Sequence, residues 1–144
     1  MRIVALISAA LLCAACAPAR HAPEFLAATS GPARPFSPAV RANGFIWLSG
    51  QIGTDSTGRV VPGGVQAETR QTMENIRAVL LRERSSLDRV VKCTVFMADM
   101  KEWAAMNEIY VTFFDAVRRP ARSAMGASGL ALDARVEIEC IAAE

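Results

Sequence analysis

Residues 89–98, which read Arg-Val-Val-Lys-Cys-Thr-Val-Phe-Met-Ala, form a strongly β-prone segment of the chain. Valine recurs along the segment, and β-branched residues favour a strand. Successive side chains of a strand point to opposite faces of a sheet, and here both faces are largely apolar. The two faces comprise Val91, Cys93, Val95 and Met97 on one side and Val90, Lys92, Thr94, Phe96 and Ala98 on the other. We therefore expect a central strand that is covered on both sides.

A helix is predicted on each side of this strand in the sequence. Residues 66–82 carry apolar and threonine side chains at helical spacing. After the strand, Asp99 is expected to begin a second helix, with Glu102 completing a capping box three residues later. The predicted buried stripe of this second helix comprises Trp103, Met106, Ile109, Tyr110, Phe113 and Phe114.

Further strands are predicted on both ends of the domain. Residues 45–49 are an apolar run that ends at Gly50, residues 122–127 suit a strand or an extended loop, and residues 135–142 alternate. Strands with two intervening helices indicate an α+β sandwich with both helices on one sheet face. Two helices cannot cover both faces, and an uncovered apolar face would be an unusually large exposed patch. We therefore expect the second face to meet another subunit of a homo-oligomer.

Charge and histidine content exclude several classes of function. The chain has 144 residues and a formal net charge of +2, which suits one domain and argues against a general nucleic-acid binder. The single histidine, His21, lies in a Pro/Ala-rich segment near the N-terminus. Serine–histidine triads, two-histidine zinc sites and histidine-based ribonuclease chemistry therefore lack their histidine. Any catalysis is expected to use Arg, Glu, Asp, Ser or backbone groups.

The N-terminal residues predict export. Residues 1–15 have a positive start and an apolar core, as signal peptides do, but the apolar run is too short to span a bilayer. The segment ending in Ala14-Ala15-Cys16 resembles a bacterial lipobox, which would leave Cys16 lipidated in the periplasm. Secretory cleavage after Ala17 is the alternative. Residues 16–35 are rich in Pro, Ala, Gly and Ser and predict a flexible tether, followed by a domain over residues 36–144.

The domain contains two further cysteines, Cys93 and Cys140. We expect them to be buried free thiols. The alternative is a disulfide, which an oxidising periplasm would permit if the two residues are close enough.

Two ionisable residues are candidates for chemistry. Arg122 follows Pro120 in a short polar interruption after the second helix, and a guanidinium can hold a carboxylate through two parallel hydrogen bonds. Glu137 lies on the alternating strand at the C-terminal end, where a carboxylate could accept a proton from water. Taken alone, each residue also fits an ordinary surface or ion-pair role.

The order of five short motifs resembles the Rid family of reactive intermediate deaminases, also called YjgF-type or L-PSP proteins. The motifs are Asn43-Gly44-Phe45-Ile46-Trp47-Leu48-Ser49-Gly50-Gln51-Ile52-Gly53, Gln71-Thr72-Met73-Glu74-Asn75, Val91-Lys92-Cys93-Thr94-Val95-Phe96, Pro120-Ala121-Arg122-Ser123 and Val136-Glu137-Ile138-Glu139. The resemblance covers residues 35–142. It implies a chorismate-mutase-like fold, with a mixed sheet and two helices on one face, assembled as a homotrimer.

The resemblance also implies a site in each cleft between subunits. Arg122 would hold the substrate carboxylate, and Glu137 would position and activate water. Further substrate-binding positions match Phe36, Ser49, Asn107 and the backbone at Ala124, with Phe36 standing where deaminases commonly carry tyrosine. No cofactor and no metal are implied.

The implied activity is hydrolysis of 2-imino or enamine acids to 2-oxo acids with release of ammonia. The expected partners are a small carboxylate-bearing imine or 2-oxo acid and two further copies of the chain, with no nucleic acid. Membrane attachment would occur only through a lipid on Cys16. The alternative is a non-catalytic periplasmic binder of small carboxylates. Endoribonuclease activity is least favoured because of the near-neutral charge and the missing histidine.

Overall fold

The computed structural model describes residues 22–27 and 35–144, so the predicted signal segment and Cys16 lie outside the described residues. Seven strands are present in this part of the chain: β1 (Glu24–Leu26), β2 (Ala39–Ala42), β3 (Phe45–Leu48), β4 (Gln51–Ile52), β5 (Val90–Met97), β6 (Ala121–Gly126) and β7 (Val136–Ala143). The α-helices are α1 (Gly64–Arg82) and α2 (Trp103–Tyr110). Short 3-10 turns precede β5, flank α2 and precede β7.

The strands form one mixed sheet in the order β1-β2-β3-β7-β5-β6, with β4 also paired to β7. Strands β5 and β6 are parallel, and the other pairs are antiparallel. Asn43 and Gly44 close the β2–β3 hairpin with positive φ angles, as a two-residue turn of this kind requires. The prediction of a mixed sheet with two helices is therefore confirmed.

Both helices cover the same face of the sheet. Helix α1 packs against β4 and β7, and α2 packs against α1. The core between helices and sheet includes the fully buried side chains of Ile46, Met73, Ile76, Leu80, Val95, Met97, Met106, Val136 and Ile138. No helix of the described residues has the length and apolar composition needed to cross a membrane.

The opposite face of the sheet, called the open face here, carries a row of side chains in register across five strands. Pairing places Phe25 beside Val40, Val40 beside Trp47, Trp47 beside Ile141, and Ile141 beside Lys92. Phe25 is 70% exposed and Trp47 is 49% exposed in the single chain. The row is apolar from Phe25 to Ile141, and no element of the described chain covers it.

Strand β1 corrects the prediction of a flexible tether at one place. Residues 24–26 lie within the predicted tether of residues 16–35, yet they pair with β2 as a regular antiparallel strand. Leu26 is buried, and the Glu24 carboxylate accepts a hydrogen bond from Arg41 at 2.8 Å. The sequence signal was weak because only three residues pair and only one of them is buried.

The start of α2 also differs from the prediction. Asp99 does cap the turn, since its Oδ1 accepts from the Lys101 N–H at 2.9 Å, but the capping box is wrong. The Glu102 carboxylate instead accepts a hydrogen bond from Arg135 at 2.6 Å. Within the predicted buried stripe, Met106 and Tyr110 are buried, whereas Trp103 is 39% exposed. An arginine from a distant part of the sequence therefore engages the side chain that the local capping pattern assigned to the helix start.

The expectation of free thiols is wrong. Cys93 in β5 and Cys140 in β7 are directly opposite each other and form a disulfide. Their side chains are buried on the helix-covered face of the sheet. Two cysteines that are 47 residues apart in the sequence meet only because β5 and β7 pair in this register.

Candidate functional site

Arg122 lies on the edge strand β6 and points towards the helices. Its backbone is in register with Cys93 of β5, whose side chain belongs to the helix-covered face. The Arg122 Nη1 donates a hydrogen bond to Oδ1 of Asn107 at 2.6 Å. Its guanidinium carbon lies 4.7 Å from the centroid of the Tyr110 ring and 5.8 Å from that of Trp103. These distances are typical of cation–π contacts, so the guanidinium is held in one orientation.

A single stripe of α2 supplies these partners. Trp103, Asn107 and Tyr110 are four and then three residues apart, and this spacing places them on one side of a helix. Asn107 was predicted to line a pocket, whereas Trp103 and Tyr110 were predicted to lie in the core. Their shared spacing was the signal that could have linked both aromatic residues to Arg122.

Tyr110 is the most buried member of this stripe, with 3% of its surface exposed. Burial raises the pKa of its phenol to about 12, against a smaller lowering by the Arg122 charge. The hydroxyl has no hydrogen-bond partner among the described residues. Tyr110 therefore stays protonated and contributes its ring face, rather than a negative charge, to the Arg122 surroundings.

Glu137 lies on the open face of the same sheet. It pairs with Phe96 of β5 and with Ile52 of β4, and it is three residues from Cys140, which points the other way. Among the described residues, no hydrogen bond or ion pair engages the half-buried Glu137 carboxylate.

Gly50 makes room for the Glu137 side chain. A Cβ atom added at Gly50 would overlap Oε1 of Glu137, so only glycine lets the backbone approach the carboxylate this closely. Asn75 of α1 fixes the neighbouring segment, because its Nδ2 donates to the carbonyl oxygens of Ile52 and Thr54, each at 3.0 Å. Gly50 and Asn75 belong to two of the family motifs, but neither was predicted to be a site residue.

Ser49 and Phe36 lie next to this region. The Ser49 hydroxyl donates to the Ser37 carbonyl at 2.6 Å, and the Ser49 N–H donates to the Pro38 carbonyl at 3.0 Å. These bonds attach the segment that carries Phe36 to the end of β3. Phe36 is 50% exposed in the single chain.

The candidate residues therefore form two groups in one chain. The first group, called the arginine half-site, consists of Arg122 and Asn107, with Ala124 two residues further along the same face of β6. The second, called the glutamate half-site, consists of Glu137, Ser49 and the Phe36 segment. The sheet separates the two groups, so one chain does not bring Arg122 and Glu137 together. No cluster of three metal-ligating side chains occurs within residues 22–27 and 35–144.

Comparison with known proteins identifies the class to which this fold belongs. Residues 27–144 match the family described as Endoribonuclease L-PSP. A crystal structure of the Rid-family protein YyfA from Yersinia pestis, a protein of unknown function, superposes with a TM-score of 0.79 at 36% identity, covering 85% of this chain and 100% of that one. The class is thus the Rid, or L-PSP, proteins.

Two named relatives are informative about chemistry. The mouse (Mus musculus) protein 2-iminobutanoate/2-iminopropanoate deaminase is 41% identical over 124 residues, covering 84% of this chain and 91% of the mouse protein. The crystal structure of Escherichia coli TdcF with bound serine has a TM-score of 0.72 at 33% identity, covering 79% of this chain and 91% of TdcF. The chain belongs to the Rid (L-PSP) family.

Proposed function

We propose that this protein hydrolyses 2-imino acids and their enamine tautomers to 2-oxo acids and ammonia. The observation that carries the proposal is the immobilised guanidinium of Arg122. One of its N–H groups is used by Asn107, and the remaining donors form a planar fork that fits a carboxylate. The name of the mouse relative supports the same reaction.

The role of Arg122 is to bind and orient the substrate. Two charge-assisted hydrogen bonds to the carboxylate fix the adjacent imine carbon in a defined position. Contacts with Asn107 and Tyr110 restrain the guanidinium before the substrate arrives, so less conformational freedom is lost on binding.

The role of Glu137 is to accept a proton from water. The water oxygen adds to the imine carbon while its proton passes to the carboxylate, and a carbinolamine forms. The carboxylic acid then returns the proton to the nitrogen. The C–N bond breaks as the hydroxyl proton passes back to the Glu137 carboxylate, and ammonia leaves as the 2-oxo acid forms. A protonated imine is already electrophilic, so orientation and one general base suffice for this reaction.

A complete site requires two copies of the chain, and we propose the homotrimer for this reason. Arg122 and Glu137 lie on opposite faces of one sheet, so the arginine half-site of one copy would meet the glutamate half-site of the next. The apolar row that includes Phe25 and Trp47 supports association through the open face. The two observations together favour sites shared between neighbouring subunits.

The decisive experiment measures ammonia release from an imine that an amino-acid oxidase generates in the assay. We expect the wild-type protein to accelerate hydrolysis. Arg122→Ala should lose about 1.5–3 kcal/mol of binding free energy, which corresponds to a decrease of roughly 10- to 150-fold in kcat/KM. Arg70→Ala, which removes an exposed arginine from α1, is the matched control and should retain full activity. Equal rates with and without wild-type protein would exclude the deaminase function.

A second candidate function is carboxylate binding without turnover, which the serine bound to TdcF favours. The same Arg122 would then recognise a small acid. Two results together would select this function over the deaminase. Calorimetry would detect pyruvate binding to the wild type but not to Arg122→Ala, and the wild-type protein would not accelerate imine hydrolysis.

We also propose that the protein is exported and attached to the membrane by a lipid on Cys16. The disulfide between Cys93 and Cys140 supports an oxidising compartment, because disulfides rarely persist in the cytosol. Radiolabelled palmitate should be incorporated into the full-length wild type but not into Cys16→Ala. Labelling that is equal in both would contradict the lipid attachment.

A further inference from the structure

The partners of Arg122 differ in exposure along the stripe of α2. Tyr110, at one end, is 3% exposed, whereas Trp103, at the other end, is 39% exposed. The guanidinium thus has a buried aromatic ring at its inner side and an exposed indole at its outer side. A ligand that reaches Arg122 from solvent approaches from the side of Trp103.

The surface next to Arg122 on β6 is made of small residues. Ala124 and Gly126 follow Arg122 on the same side of the strand, because alternate residues share a face. A Cβ added at Gly126 would lie 3.2 Å from Cγ of Met100, so the methionine closes the far end of this surface. Met100 is itself 43% exposed. The surface of β6 beside the guanidinium is therefore apolar and formed by small side chains. The exposed indole of Trp103 and the side chain of Met100 lie next to it.

The exposure of Trp103 is not explained by the fold. It stands at a position where the helical pattern predicts burial, and the chain leaves a large indole partly in water beside a cation. Apolar ligand groups that covered the indole would remove this surface from water. Carboxylate binding to Arg122 would place the rest of the ligand against it.

We infer that Trp103 is a specificity-determining residue, which contacts the side chain of the 2-imino acid held by Arg122. The inference rests on the proposed function in one respect, namely that Arg122 binds the substrate carboxylate. The favoured substrates are 2-imino acids with bulky apolar side chains, such as those formed from leucine or phenylalanine. Imines with small side chains, such as that from alanine, bind without the contact and react less efficiently.

The test compares kcat/KM for imines from leucine and from alanine. We expect wild-type protein to prefer the leucine-derived imine by roughly tenfold or more, in line with the value of apolar pocket contacts. Trp103→Ala should lose most of that preference, because KM should rise more for the larger imine than for the alanine-derived imine. Trp103→Phe keeps an aromatic ring and should retain the preference. An unchanged preference in Trp103→Ala would overturn the inference while leaving the deaminase function intact.

A binding measurement separates this inference from the proposed function. The chain has two tryptophans, so in Trp47→Phe the only indole is that of Trp103. Addition of 4-methyl-2-oxopentanoate should shift the fluorescence emission of Trp103 at a lower concentration than pyruvate does. This expectation holds whether or not the protein hydrolyses imines. Trp103→Phe, which keeps Trp47, should show no shift. Two results would show that the Trp103 indole serves another contact. The first is no shift of fluorescence emission in Trp47→Phe. The second is a changed oligomeric state of Trp103→Ala with unaltered ligand binding.

Discussion

At the residue scale, Tyr110 offers a direct test of the surroundings of Arg122, because it is the only tyrosine in the chain. Burial raises its pKa from 10.0 to about 12. The folded state therefore holds the phenol proton more tightly than the unfolded state does. The resulting stabilisation is fully present below about pH 10 and is lost as the pH rises through about 12.

We predict that the phenolate absorbance of the folded protein rises near pH 12, and near pH 10 in denaturant. Absorbance titration with and without guanidinium chloride measures both midpoints. Tyr110→Phe should abolish the signal and, since the lost hydroxyl has no partner among the described residues, should leave stability at pH 7 nearly unchanged. A folded midpoint near 10 would show that the ring is not buried beside Arg122.

Two glycines make a matched pair of substitutions with different outcomes. Gly50→Ala would push against the end of the flexible Glu137 side chain, whereas Gly53→Ala would place its Cβ 2.6 Å from the backbone oxygen of Glu68. A displaced carboxylate affects the proposed proton transfer, and a displaced helix backbone affects the fold.

We predict that Gly50→Ala lowers kcat by at least about tenfold with little change in Tm, because loss of a general base costs roughly 100- to 10,000-fold. Gly53→Ala should instead lower the free energy of unfolding by about 1–3 kcal/mol. Thermal unfolding and imine hydrolysis of both variants check the two expectations. Full activity in Gly50→Ala would argue against a role for Glu137.

At the element scale, the disulfide joins β5 and β7, the two strands that carry most of the core face. The bond spans 47 residues of sequence, and closing a loop of that length reduces the freedom of the unfolded chain considerably. Strand pairing alone still holds the sheet, because β5 and β7 pair over nearly their whole length.

We predict that Cys93→Ala/Cys140→Ala lowers the free energy of unfolding by about 2–4 kcal/mol while keeping the fold. Denaturant unfolding with and without dithiothreitol is the measurement. Reductant should destabilise the wild type by a similar amount and leave the double variant unchanged. Equal stability of the wild type in both conditions would show that the cysteines are not bonded.

At the scale of the whole molecule, the sheet lies between the two half-sites. Register places Arg122 on the helix-covered face and Glu137 on the open face. If the site forms between neighbouring copies of a trimer, its two main residues come from different chains. Variants of the two residues can then complement each other.

We predict that co-expressed Arg122→Ala and Glu137→Gln chains, purified through two different tags, regain activity. Each mixed trimer would contain one site with both groups intact, which corresponds to about a third of wild-type activity. Each variant alone should be nearly inactive, and so should the two purified homo-oligomers combined without subunit exchange. No recovery in the mixed trimers would place both residues in a site within one chain.

The local pattern of the chain was sufficient for most of the fold. The strands at 89–98 and 135–142 and the helix at 66–82 were recognisable because side-chain periodicity is a property of consecutive residues. Arg122 and Glu137 were recognisable as candidates because of the motifs around them, and their roles stay predictions. The doubly apolar character of β5 also pointed to an uncovered second face.

Contacts between remote segments were beyond that pattern. The disulfide between Cys93 and Cys140 depends on how β5 and β7 pair. The hydrogen bond from Arg135 to Glu102 likewise joins residues that are far apart in the sequence. Alternation along a strand tells which residues share a face, but only register tells which residues of another strand lie opposite. For the same reason, the separation of Arg122 and Glu137 by the sheet became visible only once the strands were paired.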